Sequence, residues 1–255
     1  MPDERIALVT GGASGIGLAT ATQLAADGIR VALADIDAGG LKRAVASLAG
    51  EERAFAVPTD VSSVADCERA VSRTVERFGR LDILVNCAGL WVEGPTDSMT
   101  ESDWDRIVDV NLKGTFFMCR FAIPALEASG GCIVNVSSDA GLWGGKGAAI
   151  YCASKGGVTI LSKSLAVELA SRGVRVNAVC PGDVDSPMIR YQADTFGGGD
   201  PERYLADLLT AYPQRPARFI RPDEVAELIA FLCSERATPI TGAAISIDFG
   251  LTAGY

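Results

Sequence analysis

The chain has 255 residues, 48% hydrophobic and 22% charged, with a net charge of −9 and no histidine. That length and balance suit one globular domain with a substantial core and argue against disorder. The acidic surplus carries no basic cluster, which argues against a nucleic-acid or anionic-membrane partner. Without histidine there is no Ser-His-Asp triad and no His-based metal site, so proton transfer must use another group.

Strand-like runs fall at 5–10, 30–35, 53–58, 81–86, 131–137, 174–180 and 243–248, with helix-like segments between them. Such alternation predicts crossover units, hence an α/β fold with a parallel sheet covered on both faces. No internal repeat or low-complexity linker divides the chain, so 1–255 reads as a single domain.

The first run, RIALVT, leads at once into Thr10-Gly11-Gly12-Ala13-Ser14-Gly15-Ile16-Gly17 and then a helix-like stretch. A glycine-rich turn between strand and helix lets the backbone approach a pyrophosphate, whose charge meets the helix N-terminus. The second run ends at Asp35, eighteen residues past Gly17. A carboxylate there can accept hydrogen bonds from an adenosine ribose; capping the next helix is its structural alternative. Asp35 would also repel a 2′-phosphate, and neither Ser14 nor Ile36 is basic, so NAD is expected over NADP.

Further along, Val64, Cys67, Val71, Val75 and Phe78 make one apolar helical stripe. Over 103–128 a stripe runs through Trp104, Ile107, Val108, Leu112, Phe116, Cys119, Ile123 and Leu126, with Phe117, Met118 and Phe121 on other faces. A helix apolar all round needs burial on all sides: one side covers the sheet, and the other calls for a partner, most simply a symmetric copy. Asn111 interrupts that stripe. A buried unpaired amide costs roughly 1–3 kcal/mol, so it needs a partner or an ordered water.

Ser138 ends the fifth strand-like run, thirteen residues before Tyr151, and Lys155 follows Tyr151 by four. Helical spacing sets the Lys155 ammonium beside the Tyr151 phenol. A nearby cation is expected to lower a phenol pKa of about 10 by roughly 1–3 units, making a tyrosine acid/base. The segment 183–222, with Gly197-Gly198-Gly199 and several prolines, reads as a long irregular insert, best explained as a substrate lid. Trp91, Glu93, Asp139, Trp143, Met188 and Tyr191 are the expected pocket wall, and Arg190 on the insert is in range of a substrate carboxylate. Seven scattered cysteines without a C-x-x-C pair predict buried free thiols. The early first strand and the lack of a long uncharged apolar stretch predict a cytoplasmic location.

In order along the chain, these residues resemble the short-chain dehydrogenases/reductases. The resemblance rests on the Gly11/Gly15/Gly17 loop, Asp60-Val61, Asn86-Cys87-Ala88-Gly89, Asn111, Ser138, Tyr151, Lys155, Pro181-Gly182 and Asp248 through Thr252. Cys87, Ser186 and Phe249 stand where the family usually has Asn, Thr and often Gly. The resemblance implies a doubly wound, Rossmann-type sheet in the order 3-2-1-4-5-6 with a seventh strand at the edge. It implies NAD held by Gly11, Ser14, Gly15, Ile16 and Gly17, by Asp35 and Ile36, and by Asp60 and Val61. Asn86, Ala88, Gly89, Tyr151, Lys155, Pro181, Gly182, Val184 and Ser186 complete that set. The implied reaction is hydride transfer between nicotinamide and a secondary alcohol or ketone whose oxygen lies between Ser138 and Tyr151. Lys155 would steady the phenolate and the nicotinamide ribose, and Asn111 would hold a water of a proton relay. No metal is implied, and helices 103–128 and 151–171 would be the seam of a homodimer or homotetramer. A polyol, a sugar-derived hydroxy acid or another small secondary alcohol would suit as substrate. Two alternatives remain: an NADPH-dependent 3-oxoacyl-carrier-protein reductase, against which Asp35 and the net charge weigh, and an inactive NAD-binding regulator, which would be expected to lack Tyr151 or Lys155.

Overall fold

Seven short runs rich in Val, Ile, Leu and Ala pair in parallel in the computed structural model, which describes residues 4–48 and 53–253. They are β1 (Ile6–Thr10), β2 (Arg30–Asp35), β3 (Ala54–Pro58), β4 (Ile83–Asn86), β5 (Cys132–Val136), β6 (Arg175–Pro181) and β7 (Ala244–Ile247). Their order is β3-β2-β1-β4-β5-β6-β7, the arrangement expected. β1 and β4 pair in register from Ala7 with Ile83 to Thr10 with Asn86, so their C-terminal ends finish side by side. The order reverses between β1 and β4, and that switch point opens a crevice at the carboxyl edge.

Both faces of the sheet are dry. On one, Val9, Leu33 and Val85 pack against α1 (Gly15–Ala26), α2 (Ala38–Ser47) and α9 (Pro222–Cys233). On the other, Leu8, Leu84 and Ile133 meet α3 (Val64–Phe78), α5 (Thr115–Ser129) and the end of α6 (Ala149–Leu169). Burial on both faces explains why the strands read as continuous apolar runs rather than alternating ones. All seven cysteines are free, and five are buried, as apolar placement predicted.

Two expectations are corrected. The helix predicted over 103–128 is three segments: α4 (Glu101–Val108), a π-helical stretch over Asp109–Gly114, and α5. The wider turn resets the phase, so Met118, assigned to an outer face, is fully buried while Phe116 on the predicted stripe is 43% exposed. The insert at 183–222 is not irregular. It contains α7 (Pro187–Phe196) and α8 (Pro201–Thr210). The prolines that read as breakers open these helices, where a missing N–H costs nothing, and the Asp200 carboxylate caps α8 by accepting from Arg203 N at 3.0 Å.

Candidate active site

A cleft of about 1070 Å³ runs along the carboxyl ends of β1, β2, β4, β5 and β6. One end is built by the β1–α1 turn. Gly11 and Gly15 have φ of 67° and 52°, in the left-handed region that glycine tolerates. A Cβ on Gly17 would collide with the Gly11 carbonyl, so the turn closes only without side chains there. The Ser14 hydroxyl does not cap α1 and no acid stands in its first turn, which leaves the helix N-terminus electropositive toward the cleft. Thr10 Oγ1 accepts from Cys87 N and Ala88 N, both at 3.1 Å, tying the end of β4 to this turn.

Asp35 at the end of β2 accepts from Ala13 N at 3.0 Å and from Asp37 N at 2.9 Å. It braces the glycine turn and lines the cleft, whereas Asp37 is the cap of α2, accepting from Gly40 N. Ile36 beside it is 74% exposed. Asp60 and Val61 line the same end, the Asp60 carboxylate accepting from Ser62 N and Ser62 Oγ. Ser14, Ile16, Ala88, Gly89, Pro181, Gly182, Val184 and Ser186 line the cleft as well. A glycine-rich turn, an uncapped helix N-terminus and a carboxylate at the second strand end fit a dinucleotide. Asn86 does not line this cleft. Its amide points across the sheet, donating to Asn135 Oδ1 at 2.8 Å, and so joins β4 to β5.

At the middle of the cleft, β5 delivers Ser138 and the first turns of α6 deliver Tyr151 and Lys155. All three are buried. Lys155 Nζ donates to Val136 O at 2.9 Å and lies 5.8 Å from the centre of the Tyr151 ring. Burial pulls the Lys155 amine down to about 8. It also pushes the Tyr151 phenol up, with Asp139 and Asp183 adding to the rise and a Ser138 hydrogen bond opposing it. This corrects the expectation that Lys155 lowers the phenol. Desolvation of the buried ring dominates its titration.

Asn111, in the π-helical stretch, is fully buried and lines no part of the cleft. Its amide accepts from Leu90 N at 2.9 Å and donates to Leu90 O and Ser154 Oγ, both at 3.1 Å. A Cβ on Gly89 would stand 3.3 Å from Asn111 Oδ1 and 3.5 Å from Lys155 Nζ. Glycine there keeps open the space between the two.

The far end of the cleft is acidic and aromatic. Trp91 packs on Tyr151 with ring centres 4.2 Å apart and donates from Nε1 to Glu93 Oε2 at 2.7 Å. From α8, the Tyr204 hydroxyl donates to the same Oε2 at 2.7 Å. Asp139 accepts from Ser138 Oγ at 2.6 Å and from Ala140 N at 2.7 Å, and burial raises its carboxyl. Asp183, pushed up to about 6 by burial and by Asp139, receives the Tyr212 hydroxyl at 3.2 Å. Trp143, half exposed, and Met188 also line this end.

Tyr191 does not. It turns outward, 42% exposed, edge-on to Phe196, and α7 presents Ile189 and Gln192 to the cleft instead. Arg190 is likewise outside, paired with Asp185 at 2.7 Å. Sequence reasoning missed Asp183, Gln192, Tyr204 and Leu208 because it treated 183–222 as loop; the spacing of Ile189, Gln192 and Ala193 was the available helical signal. Phe249 adopts φ 51° where glycine is common, and its ring packs against Tyr212 and under Arg218. It thereby supports the tyrosine that holds Asp183.

Residues 11–252 match a family model described as enoyl-(acyl carrier protein) reductase. A meso-2,3-butanediol dehydrogenase of Serratia marcescens is 38% identical over 98% of this chain and 96% of its own. A 3-oxoacyl-[acyl-carrier-protein] reductase of Thermotoga maritima is also 38% identical, over 98% of each chain. The crystal structure of levodione reductase superposes with a TM-score of 0.93 at 32% identity, covering 98% of both chains. With relatives matched nearly end to end and the glycine turn facing a Ser-Tyr-Lys set across one cleft, this chain belongs to the short-chain dehydrogenase/reductase family.

Proposed function

We propose that the chain is an NAD-dependent oxidoreductase moving a hydride between nicotinamide and the carbinol carbon of a small secondary alcohol or ketone. The observation that carries this reading is the convergence of Ser138, Tyr151 and Lys155 on the cleft that the glycine turn opens. The turn and the α1 N-terminus hold the pyrophosphate, Asp35 the adenosine ribose, and Lys155 the nicotinamide ribose. When bound, the nicotinamide supplies the hydride acceptor or donor, and its oxidised form brings a positive charge.

The remaining work belongs to side chains. The substrate oxygen sits between Ser138 Oγ and the Tyr151 hydroxyl. A phenol pushed up by burial is neutral and ready to protonate the oxygen of a ketone being reduced. In oxidation it takes the alcohol proton, assisted by the Lys155 ammonium. Ser138 now donates to Asp139. When substrate enters, its oxygen competes with Asp139 for the Ser138 hydroxyl. A water near Asn111 and Lys155, as the family resemblance implies, would carry the proton onward.

Asp35 supports NAD over NADP, because a 2′-phosphate would meet its carboxylate. The same residue and the net charge of −9 speak against a reductase that docks an acidic carrier protein. Helices α7 and α8 serve as the substrate lid, and the enzyme works as a cytoplasmic homotetramer. Tyr151→Phe tests the chemistry: turnover of any alcohol found active should fall below a few per cent while NADH binding, read by fluorescence, persists. Retained turnover would remove Tyr151 from the acid/base role.

A further inference from the structure

Around the point where the substrate oxygen must sit, the cleft walls carry three carboxylates, Glu93, Asp139 and Asp183. Asp139 and Asp183 are engaged with Ser138 and Tyr212. Glu93 is different. Both of its protein donors, Trp91 Nε1 and the Tyr204 hydroxyl, reach the same Oε2, and Oε1 receives no hydrogen bond from the described residues. The indole that holds Glu93 also packs on the catalytic phenol ring, so a single side chain spans from the reacting centre to this carboxylate.

No ion pair joins these three carboxylates to a cation among the described residues. Among the described residues the cleft is lined by three basic side chains: Lys155 donates to Val136 O, while Arg106 and Lys146 are exposed. Resting on the dehydrogenase reading above, we propose that Glu93 determines specificity by receiving a protonated amine of the substrate, which makes the preferred substrate an amino alcohol or its aminoketone. A carboxylate whose Oε1 is left open while two ring donors hold its Oε2 offers an ammonium a charge-assisted hydrogen bond. Asp139 and Asp183, each raised by burial and the latter also by its neighbour, repel one another, and a cation in the cleft relieves that repulsion. A neutral diol would relieve only the lost hydration. A substrate carboxylate would add a further like charge.

The reaction balances as for any secondary alcohol. The carbinol C–H bond breaks with its electron pair passing as hydride to NAD, the hydroxyl proton leaves through Tyr151, and the carbon becomes a ketone while the ammonium is unchanged.

The test is a matched series oxidised with NAD: isopropanolamine and its homologue with one more methylene, sec-butanol, propylene glycol and lactate. The better ammonium substrate should exceed sec-butanol about 10-fold or more in kcat/KM, most of it in KM, with lactate below sec-butanol. In Glu93→Gln, which keeps an oxygen for Trp91 and Tyr204, the ratio of ammonium to neutral substrate should fall to near one. Tyr204→Phe, losing one donor to Glu93, should lower the ratio less and guards against a misfolded first variant. A wild-type preference for sec-butanol or propylene glycol, or a ratio unmoved by Glu93→Gln, overturns the proposal while leaving the dehydrogenase intact. Failure to oxidise any member while the protein still binds NADH overturns the amino-alcohol assignment, and failure to oxidise a wider panel of alcohols counts against the dehydrogenase reading itself.

Discussion

Lys155 shows how a single residue is held at a cost to the fold. The folded state lowers its amine from 10.5 to about 8, so between those values the unfolded chain binds more protons and stability rises with pH. Below about 8 the protein carries the full penalty, on the order of 3 kcal/mol at pH 7 for a shift of that size. The hydrogen bond to Val136 O returns roughly 1–2 kcal/mol of it. Lys155→Met keeps the stem's volume and removes the charge. It should raise the unfolding free energy by about 1–2 kcal/mol at pH 7 while turnover collapses, and the rise in stability between pH 8 and 10.5 should flatten. Urea unfolding at several pH values measures all three; a destabilised variant would mean the amine is worth more to the fold than its burial costs. Asp35 gives a second test at this scale. With Asp35→Ala and Ile36→Arg, a repulsive carboxylate is exchanged for a donor of the phosphate at an exposed position. Relative kcat/KM should shift toward NADP by roughly 2–4 kcal/mol, about 30-fold to several hundred-fold. A wild type that already prefers NADP would move Asp35 away from the ribose.

At the scale of elements, the seven strands were legible to within a few residues because burial on both faces makes them unbroken apolar runs bounded by polar turns. The glycine turn and the placement of Ser138, Tyr151 and Lys155 in one cleft were legible for a related reason: both depend on backbone geometry and fixed spacing, which sequence displays directly. What escaped depended on phase or direction. The π-helical stretch at Asp109–Gly114 rotates every side chain after it, and no residue type announces that extra turn. Asn86 belongs to a strand end whose neighbours line the cleft, yet its amide is spent on Asn135. Tyr191 and Tyr204 both lie in the 183–222 insert, but helical phase turns the first outward and brings the second to Glu93. Prolines at 187 and 201 read as breaks and turned out to be helix starts.

At the scale of the whole molecule, one surface remains apolar. Trp104 and Phe116, on α4 and α5, are 48% and 43% exposed, and Ile160 and Val167, two turns apart on α6, are 62% and 83% exposed. These helices are neighbours, with α6 packed against α4 and the π-helical stretch. These four large apolar side chains stand exposed on α4, α5 and α6, and cover by a second, symmetric copy of the chain is the prediction that follows. Light scattering at micromolar concentration should therefore report a dimer or tetramer. The same helix α6 carries Tyr151 and Lys155 in its first two turns, so the prediction extends from assembly to turnover. Introducing charge with Phe116→Glu and Val167→Glu should dissociate the assembly and lower turnover in parallel, whereas NADH binding by the glycine turn, on the opposite side of the cleft, should fall less. A wild-type monomer would leave the patch as open surface, and a dissociated variant with full turnover would separate assembly from catalysis.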